Sequence, residues 1–143
     1  MNLNQEEVKK EIEFYANLLG VDPTWASAVA MVESSLGENR ISRTNCRGIF
    51  QMSSIAMEDL RLEMGSEEDD TTEIVCGLLF LRLLCNRWGS LEEATNHFCD
   101  PKDRSFYLDR VLNYMEDFKS QPLTPVIAET VQPPKNWWER LFG

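Results

Sequence analysis

At residues 22–37 the sequence reads Asp22-Pro-Thr-Trp-Ala-Ser-Ala-Val-Ala-Met-Val-Glu33-Ser-Ser-Leu-Gly37. Asp22 is a favourable N-cap and Pro23 suits the first helical position, so this pattern predicts a helix that runs to about Ser34. Helical spacing places one acidic residue, Glu33, on an otherwise apolar face. The other members of that face are Ala26, Val29 and Ala30.

Glu33 is therefore expected to press against small apolar side chains near the C-terminal end of its helix. Desolvation and the negative end of the helix dipole both disfavour the ionised form of a carboxyl held there. A carboxyl that stays protonated near neutral pH is what a general acid needs. Residue types alone also allow a partly buried structural carboxylate at this position.

The periodicity of the rest of the chain is typical of an all-α protein with no strand pattern. The most apolar segment, Thr72 to Trp88, leaves almost no polar stripe and is predicted to be the central helix. The other predicted helices cover residues 4–19, about 53 to 62 with Gly65 as the stop, a short segment from Ser90 towards His97, and residues 103–119.

The chain has 143 residues, 43% of them hydrophobic, which is enough for one core and too little for two comfortable domains. We expect a domain over residues 1–119 and a proline-spaced tail over residues 120–143. The aromatic end of the tail is expected either to dock on the domain or to anchor a protein or interfacial partner. Its apolar residues are Trp137, Trp138, Leu141 and Phe142.

A net charge of -10, from 14 basic and 24 acidic residues, argues against binding to nucleic acid. The N-terminus lacks the apolar core of a secretory signal, and no stretch is long and apolar enough to span a bilayer. We therefore expect synthesis in the cytoplasm, with another route for any work outside it, such as a virion, a secretion system or a lysis system.

No metal or cofactor is expected. The four cysteines, Cys46, Cys76, Cys85 and Cys99, form no C-x-x-C pair and are predicted to be free thiols. The acidic run from Gly65 to Thr72 lacks the alternating ligand pattern of a calcium loop, so it is predicted to be a solvated loop with a helix cap.

The motif Glu33-Ser34-Ser35, followed by Ser42-x-x-Asn-Cys-Arg-Gly48-Ile-Phe-Gln51, resembles the signature of the soluble lytic transglycosylases of the lysozyme superfamily. The resemblance extends from about Val8 to Phe118. Further along the chain it rests on Gly77 and Leu81, on Ala94-Thr-Asn96, and on Ser105-Phe-Tyr107-Leu-Asp-Arg-Val111.

This resemblance implies a compact lysozyme-like helical domain that cleaves the bond between N-acetylmuramic acid and N-acetylglucosamine in peptidoglycan glycan strands. Glu33 corresponds to the single catalytic acid/base of the family. The acetamido group of the substrate takes part in the reaction, so a second protein carboxylate is unnecessary. Peptidoglycan is itself largely anionic, so long-range electrostatic attraction cannot bring this protein to it.

Several positions match residues that bind substrate in the family. Ser42 and Gln51 match positions that line the glycan cleft, and the backbone at Gly48 is expected to approach the sugar closely because glycine has no side chain. Phe50 is expected either to lie along a sugar face or, as the favoured alternative, to pack in the core.

Asn96 matches the asparagine of a family Tyr-Asn pair, but the tyrosine of that pair is replaced by Thr95. A threonine hydroxyl lacks the reach of the tyrosine that hydrogen-bonds near the catalytic acid. Tyr107 matches a later family aromatic and is expected to assist. The departure at Thr95 leaves both transglycosylation and plain hydrolysis open as the outcome.

Other functions are also open at this point. A hydrolytic muramidase of the goose-lysozyme kind would use the same scaffold, and a non-catalytic glycan-binding or assembly protein would keep the scaffold and use the tail. A Ser-His-Asp hydrolase would need His97, the only histidine, and no nucleophile motif accompanies it. Glu38, Glu58 and Asp59 are candidates for a second carboxylate, and each is more readily explained as a surface charge.

Overall fold

The computed structural model describes residues 3–40, 46–59, 69–98 and 104–120, and these residues form six helices and one two-stranded sheet. The all-α prediction is thereby confirmed. The elements in chain order are α1 (Gln5–Leu19), α2 (Pro23–Ser34), β1 (Cys46–Arg47), β2 (Met52–Ser53), α3 (Ser54–Asp59), α4 (Asp70–Trp88), α5 (Leu91–Phe98) and α6 (Arg104–Ser120).

Local capping sets the bounds of the first two helices. The Asn4 side chain accepts a hydrogen bond from the backbone of Glu7, whose carboxylate accepts one from the backbone of Asn4, which is a complete capping box. At the start of α2 the Asp22 carboxylate accepts from the N–H of Trp25 at 3.0 Å, and Pro23 occupies the first turn. Both helices therefore begin within a residue of their predicted positions.

The core is built around α4, which packs on α1 and α5, while α2 packs on α1 and α6. The prediction of a central helix is confirmed, and α4 begins earlier than Thr72 because Asp69 acts as its N-cap. Among the described residues no single helix is long and apolar enough to span a membrane; α4 and α5 pass that test only together, across a 120° bend. The buried residues of α4 include Ile74, Val75, Leu78, Leu81 and Leu84.

Among the described residues, two short strands depart from the prediction that the chain has no strand pattern. Cys46 pairs with Ser53 and Arg47 with Met52 in an antiparallel ladder of two residues per strand. A strand of two residues is too short to show an alternating pattern. This ladder forms because the turn between the strands, residues 48–51, brings their backbones together.

Several predictions concern residues outside the described part of the chain. They are the position of Ser42, the helix stop at Gly65, the thiol of Cys99 and the tail with its four large apolar residues. The division into a domain over 1–119 and a tail over 120–143 therefore stays a prediction. The last described helix, α6, ends at Ser120.

Candidate active site

Glu33 lies in the last turn of α2 and is half-buried. The helix ends one residue later, at Ser34, because Ser35 and Leu36 adopt left-handed backbone angles, with φ of 51° and 54°. Such angles cost a non-glycine residue about 1 kcal/mol or more, and they cluster at functional sites. The apolar residues that share the predicted face of Glu33 are fully buried: Ala26, Val29 and Ala30.

Tyr107 meets Glu33 directly. Its hydroxyl donates a hydrogen bond of 2.7 Å to Oε2 of Glu33, across 74 residues of sequence. The Tyr107 ring is buried near the start of α6 and stacks on Phe98 of α5, with ring centroids 6.4 Å apart. Phe98 in turn contacts Phe80 of α4 at 5.8 Å. This row of rings fixes the direction in which the phenol points.

The turn over residues 48–51 is tied to α2 by the residue next to Glu33. The buried Ser34 hydroxyl donates to the carbonyl oxygen of Ile49 at 2.5 Å and accepts from the N–H of Gly37 at 2.9 Å. Ser34 thus links the end of the Glu33 helix to the turn.

Within the turn, Gln51 and Phe50 point inward. Gln51 is 5% exposed, has a left-handed φ of 49°, and its side-chain amide donates to the carbonyl oxygen of Gly48 at 2.8 Å. Phe50 is 1% exposed and its ring lies directly against Gly77 of α4. Core packing, the favoured alternative for Phe50, is what the structure displays, and Gln51 braces the turn from inside.

The packing of the turn against α4 requires a glycine at position 48. Its φ is +82°, and a Cβ there would come within 2.5 Å of Oε2 of Glu73 in the first turns of α4. The same Glu73 oxygen accepts a hydrogen bond from the N–H of Ile49 at 3.2 Å. The space left by the missing side chain is therefore filled by a carboxylate of the protein. Close approach of the Gly48 backbone to a sugar stays a prediction.

An ion pair close to Glu73 joins three segments of the chain. Arg40 forms two hydrogen bonds to Asp70, one from Nη1 and one of 3.0 Å from Nη2, and its Nε donates to the carbonyl oxygen of Gly37 at 2.7 Å. Asp70 also accepts from the N–H of Leu3 at 2.7 Å. Burial alone would raise the pKa of Asp70, but the hydrogen bonds from Arg40 and Leu3 outweigh it and the pKa is lowered.

Residues 11–95 match the sequence model of the Transglycosylase SLT domain, which covers more than half of the chain. The chain belongs to the transglycosylase SLT family. No curated protein and no solved structure gives a significant match to it. Glu33, Gly48 and Gln51 lie inside the matched region of the SLT domain, as does Ser42, whereas Tyr107 lies beyond it.

Thr95, the last matched residue of the SLT domain, faces the core. It is 1% exposed, accepts a hydrogen bond from the indole N–H of Trp25 at 2.8 Å and donates to the carbonyl oxygen of Leu91 at 2.7 Å. Thr95 thus joins α5 to α2. Asn96 follows it on α5 and is half-buried.

The remaining candidates stay at the surface or outside the described residues. His97 stacks on the exposed Trp88 with ring centroids 3.6 Å apart, and its Nε2 lies 3.9 Å from Glu93. Glu38 is exposed, and the side chains of Glu58 and Asp59 are not among those described. Across residues 3–40, 46–59, 69–98 and 104–120, no group of three or more metal-ligating side chains is present.

Sequence reasoning missed the residues that hold the site together. Ser34 stood in the quoted motif, but nothing in its neighbours assigned it a partner 15 residues away. Glu73 and Arg40 gave no signal, because each acts on a segment distant in sequence. Asp70 was predicted to lie in a solvated loop with a helix cap, but it is buried at the start of α4, where the ion pair with Arg40 compensates its charge. No pattern around Trp25 predicted its hydrogen bond to Thr95, which is 70 residues away.

Proposed function

We propose that this protein is a peptidoglycan lytic transglycosylase in which Glu33 is the single acid/base. It would cleave the β-1,4 bond between N-acetylmuramic acid and N-acetylglucosamine. The observation that carries the proposal is the hydrogen bond from the Tyr107 hydroxyl to the Glu33 carboxylate, in a chain whose residues 11–95 match the SLT domain. Glu33 is the carboxylate next to the turn at residues 48–51, which is part of the motif that resembles the family signature.

In this reaction the protonated Glu33 carboxyl donates its proton to the glycosidic oxygen as the bond from that oxygen to the anomeric carbon breaks. The carbonyl oxygen of the muramoyl acetamido group closes on the anomeric carbon from the opposite face and stabilises its positive charge. The Glu33 carboxylate then takes the proton of the muramoyl 6-hydroxyl while O6 bonds to the anomeric carbon, and the bond from the acetamido oxygen to that carbon breaks. The product is a 1,6-anhydro sugar, and Glu33 ends protonated and ready for the next turnover.

Tyr107 supports this role of Glu33 by position. A hydrogen bond to one carboxylate oxygen restricts rotation of the carboxyl group, so the proton is presented along a fixed direction. In the family the tyrosine near the acid comes from the Tyr-Asn pair, where this chain has Thr95. Tyr107 places a phenol on Glu33 from a different helix, α6.

A hydrolytic muramidase is the second candidate, and Thr95 is the observation that favours it. Where the family tyrosine is replaced by threonine, less bulk keeps water away from the anomeric carbon, so water can attack that carbon in place of O6. Both reactions use Glu33 as the acid, and they differ only in the new chain end. Hydrolysis leaves a reducing muramic acid, and transglycosylation leaves the 1,6-anhydro form.

Mass spectrometry of the fragments released from purified peptidoglycan tests the proposal. The protein is expected to release fragments that end in 1,6-anhydromuramic acid, and a Glu33→Gln variant that folds normally is expected to release none. Reducing ends in their place would establish the muramidase. No Glu33-dependent release across a range of pH would leave a non-catalytic glycan-binding or assembly role.

Deletion of residues 121–143 separates catalysis from a role of the tail. A lytic transglycosylase whose tail is only an anchor would keep its Glu33-dependent release of soluble fragments. An assembly protein that works through the tail would lose partner binding while its domain still folds. The variant should be compared with the full chain by circular dichroism before either measurement.

A further inference from the structure

We propose that Glu73 is a positioning residue, which holds the turn at residues 48–51 in register with the Glu33 helix. The proposal rests on the proposed function, because the turn has a catalytic meaning only if Glu33 is the acid/base. Glu73 lies on α4 and is not among the residues quoted for the family resemblance. It acts on the reaction through the backbone of Ile49.

Ile49 is held by two different helices. Its carbonyl oxygen accepts from Ser34 of α2 at 2.5 Å, and its N–H donates to Oε2 of Glu73 of α4 at 3.2 Å. A bond on one side only would leave the turn free to tilt about that bond. Two bonds from two helices fix both the distance of the turn from Glu33 and its tilt.

Gly48 shows how closely Glu73 approaches the turn. Three atoms of the Glu73 carboxyl group lie within 3.0 Å of the place where a Cβ of residue 48 would be. A carboxylate this close to the backbone leaves the turn no room to move towards α4. The glycine and the glutamate therefore form one matched contact.

Arg40 and Asp70 keep Glu73 in place. The Glu73 side chain is 16% exposed, and the Arg40 Nη1 atom lies 3.9 Å from its Oε2. A carboxylate so largely removed from water needs a nearby cation. Arg40 is itself fixed by its two hydrogen bonds to Asp70, so it offers a stationary positive charge. The pair supports Glu73 without touching the turn.

The expected consequence is a selective loss of turnover when Glu73 is changed. Displacement of catalytic geometry by about 1 Å from a distant mutation costs roughly 100-fold in rate. Glu73→Ala removes the acceptor of the Ile49 N–H, and we expect kcat to fall at least about 10-fold, with KM changed by less than about 3-fold. Glu73→Gln keeps an oxygen acceptor, and we expect it to restore most of the lost kcat.

The matched control is Glu11→Ala. Glu11 is also a half-buried glutamate tied to the start of α4, since it accepts from the Thr71 hydroxyl at 2.7 Å, but it does not contact the turn. Rates for the full chain and each variant should be measured on soluble peptidoglycan oligosaccharides. Hydrogen exchange of the Ile49 amide, measured by NMR on the same proteins, reports the turn directly.

We expect Glu73→Ala to lower kcat and to speed hydrogen exchange at Ile49, and we expect Glu11→Ala to do neither. The loss of thermal stability in Glu73→Ala should be no larger than the loss in Glu11→Ala. Unchanged kcat, unchanged exchange at Ile49, or equal losses in the two alanine variants would overturn the proposal. If the unchanged protein shows no Glu33-dependent cleavage, the proposed function fails. Exchange at Ile49 then decides by itself whether Glu73 holds the turn.

Discussion

Tyr107 and Thr95 show at the scale of single residues how this chain differs from the family pattern. The hydroxyl of Tyr107 donates a hydrogen bond to Glu33 at 2.7 Å. The hydroxyl of Thr95 is hydrogen-bonded inside the core to Trp25 and Leu91. A phenol therefore meets the candidate acid although the usual tyrosine position is occupied by threonine. The phenol comes from α6, at the end of a row of three aromatic rings.

Tyr107→Phe is expected to lower the rate of peptidoglycan cleavage by about 10- to 100-fold, because a hydrogen bond to a charged group contributes roughly 1.5–3 kcal/mol. The ring and its stacking on Phe98 are preserved, so the free energy of unfolding should change little. Release of labelled glycan fragments measures the effect. Tyr114→Phe, which removes a hydroxyl from the same helix, is the control and should leave the rate unchanged; equal rates for the two variants would contradict a role for Tyr107.

The elements around the site are joined by single side chains at each end of α2. Ser34 ties its C-terminal end to the turn at residues 48–51, and Trp25 ties its N-terminal end to α5 through Thr95. Asp70 joins the start of α4 to Leu3 and to Arg40. These ties are buried or partly buried, so their loss leaves polar groups without water.

Thr95→Val is expected to lower the free energy of unfolding by about 1–3 kcal/mol, because the buried indole N–H of Trp25 loses its acceptor. Urea denaturation checks this value. Thr95→Ser, which keeps the hydroxyl, should lose clearly less. If the valine variant is as stable as the unchanged protein, the hydrogen bond between α2 and α5 contributes nothing.

The stabilisation from Asp70 is expected to depend on pH. The pKa of Asp70 is lowered from 3.8 in the folded protein, so the folded state binds its proton less readily than the unfolded state. Its contribution is then complete above about pH 5 and is lost as the pH falls through the unfolded pKa towards the folded one. We expect the difference in unfolding free energy between the unchanged protein and Asp70→Asn to be constant near neutral pH and to shrink below about pH 4.

Glu11 makes the comparison with Asp70→Asn necessary. Burial raises the pKa of Glu11. The hydrogen bond from Thr71 lowers this pKa by a smaller amount, and nearby carboxylates raise it further. The folded state therefore binds this proton more readily, and Glu11 works in the opposite direction as the pH falls. Asp70 is itself one of the carboxylates that raise the pKa of Glu11, so both proteins should also carry Glu11→Gln, which removes the contribution of Glu11 from the difference. A difference that stays constant down to pH 3 would refute the role of Asp70.

At the scale of the whole molecule, charge opposes the proposed substrate. The net charge is -10, and peptidoglycan carries stem-peptide carboxylates of the same sign. Repulsion between like charges slows encounter, and salt screens it over a Debye length of about 8 Å at physiological ionic strength. Recognition must therefore depend on short-range contacts in the site.

Cleavage of peptidoglycan is expected to speed up by a few-fold as the ionic strength is raised from about 0.01 M to about 0.15 M. Initial rates at low substrate concentration measure this, because they report the encounter step. Peptidoglycan whose carboxyl groups have been amidated is the control, and its cleavage should not respond to salt in this way. A rate that falls with salt on the native substrate would show that attraction, not repulsion, governs the encounter.

The local sequence was enough to predict the helices and to identify Glu33 as the candidate acid. Caps such as Asn4, Asp22 and Gly89 act within four residues, so the bounds of α1, α2 and α4 follow from neighbouring residues alone. The motif around Glu33 and Gly48 identified the family in the same way. These features depend on short-range physics that a linear sequence states directly.

Only the tertiary structure decided which side chains meet across the site. Tyr107 and Glu33 are 74 residues apart, Trp25 and Thr95 are 70 apart, and Glu73 and Ile49 are 24 apart. Each pair depends on how whole helices pack, and helix packing is set by the summed burial of many apolar side chains and not by the polar residues that it brings together. The sequence by itself therefore determined the helices and the candidate acid, and packing decided which side chains contact that candidate.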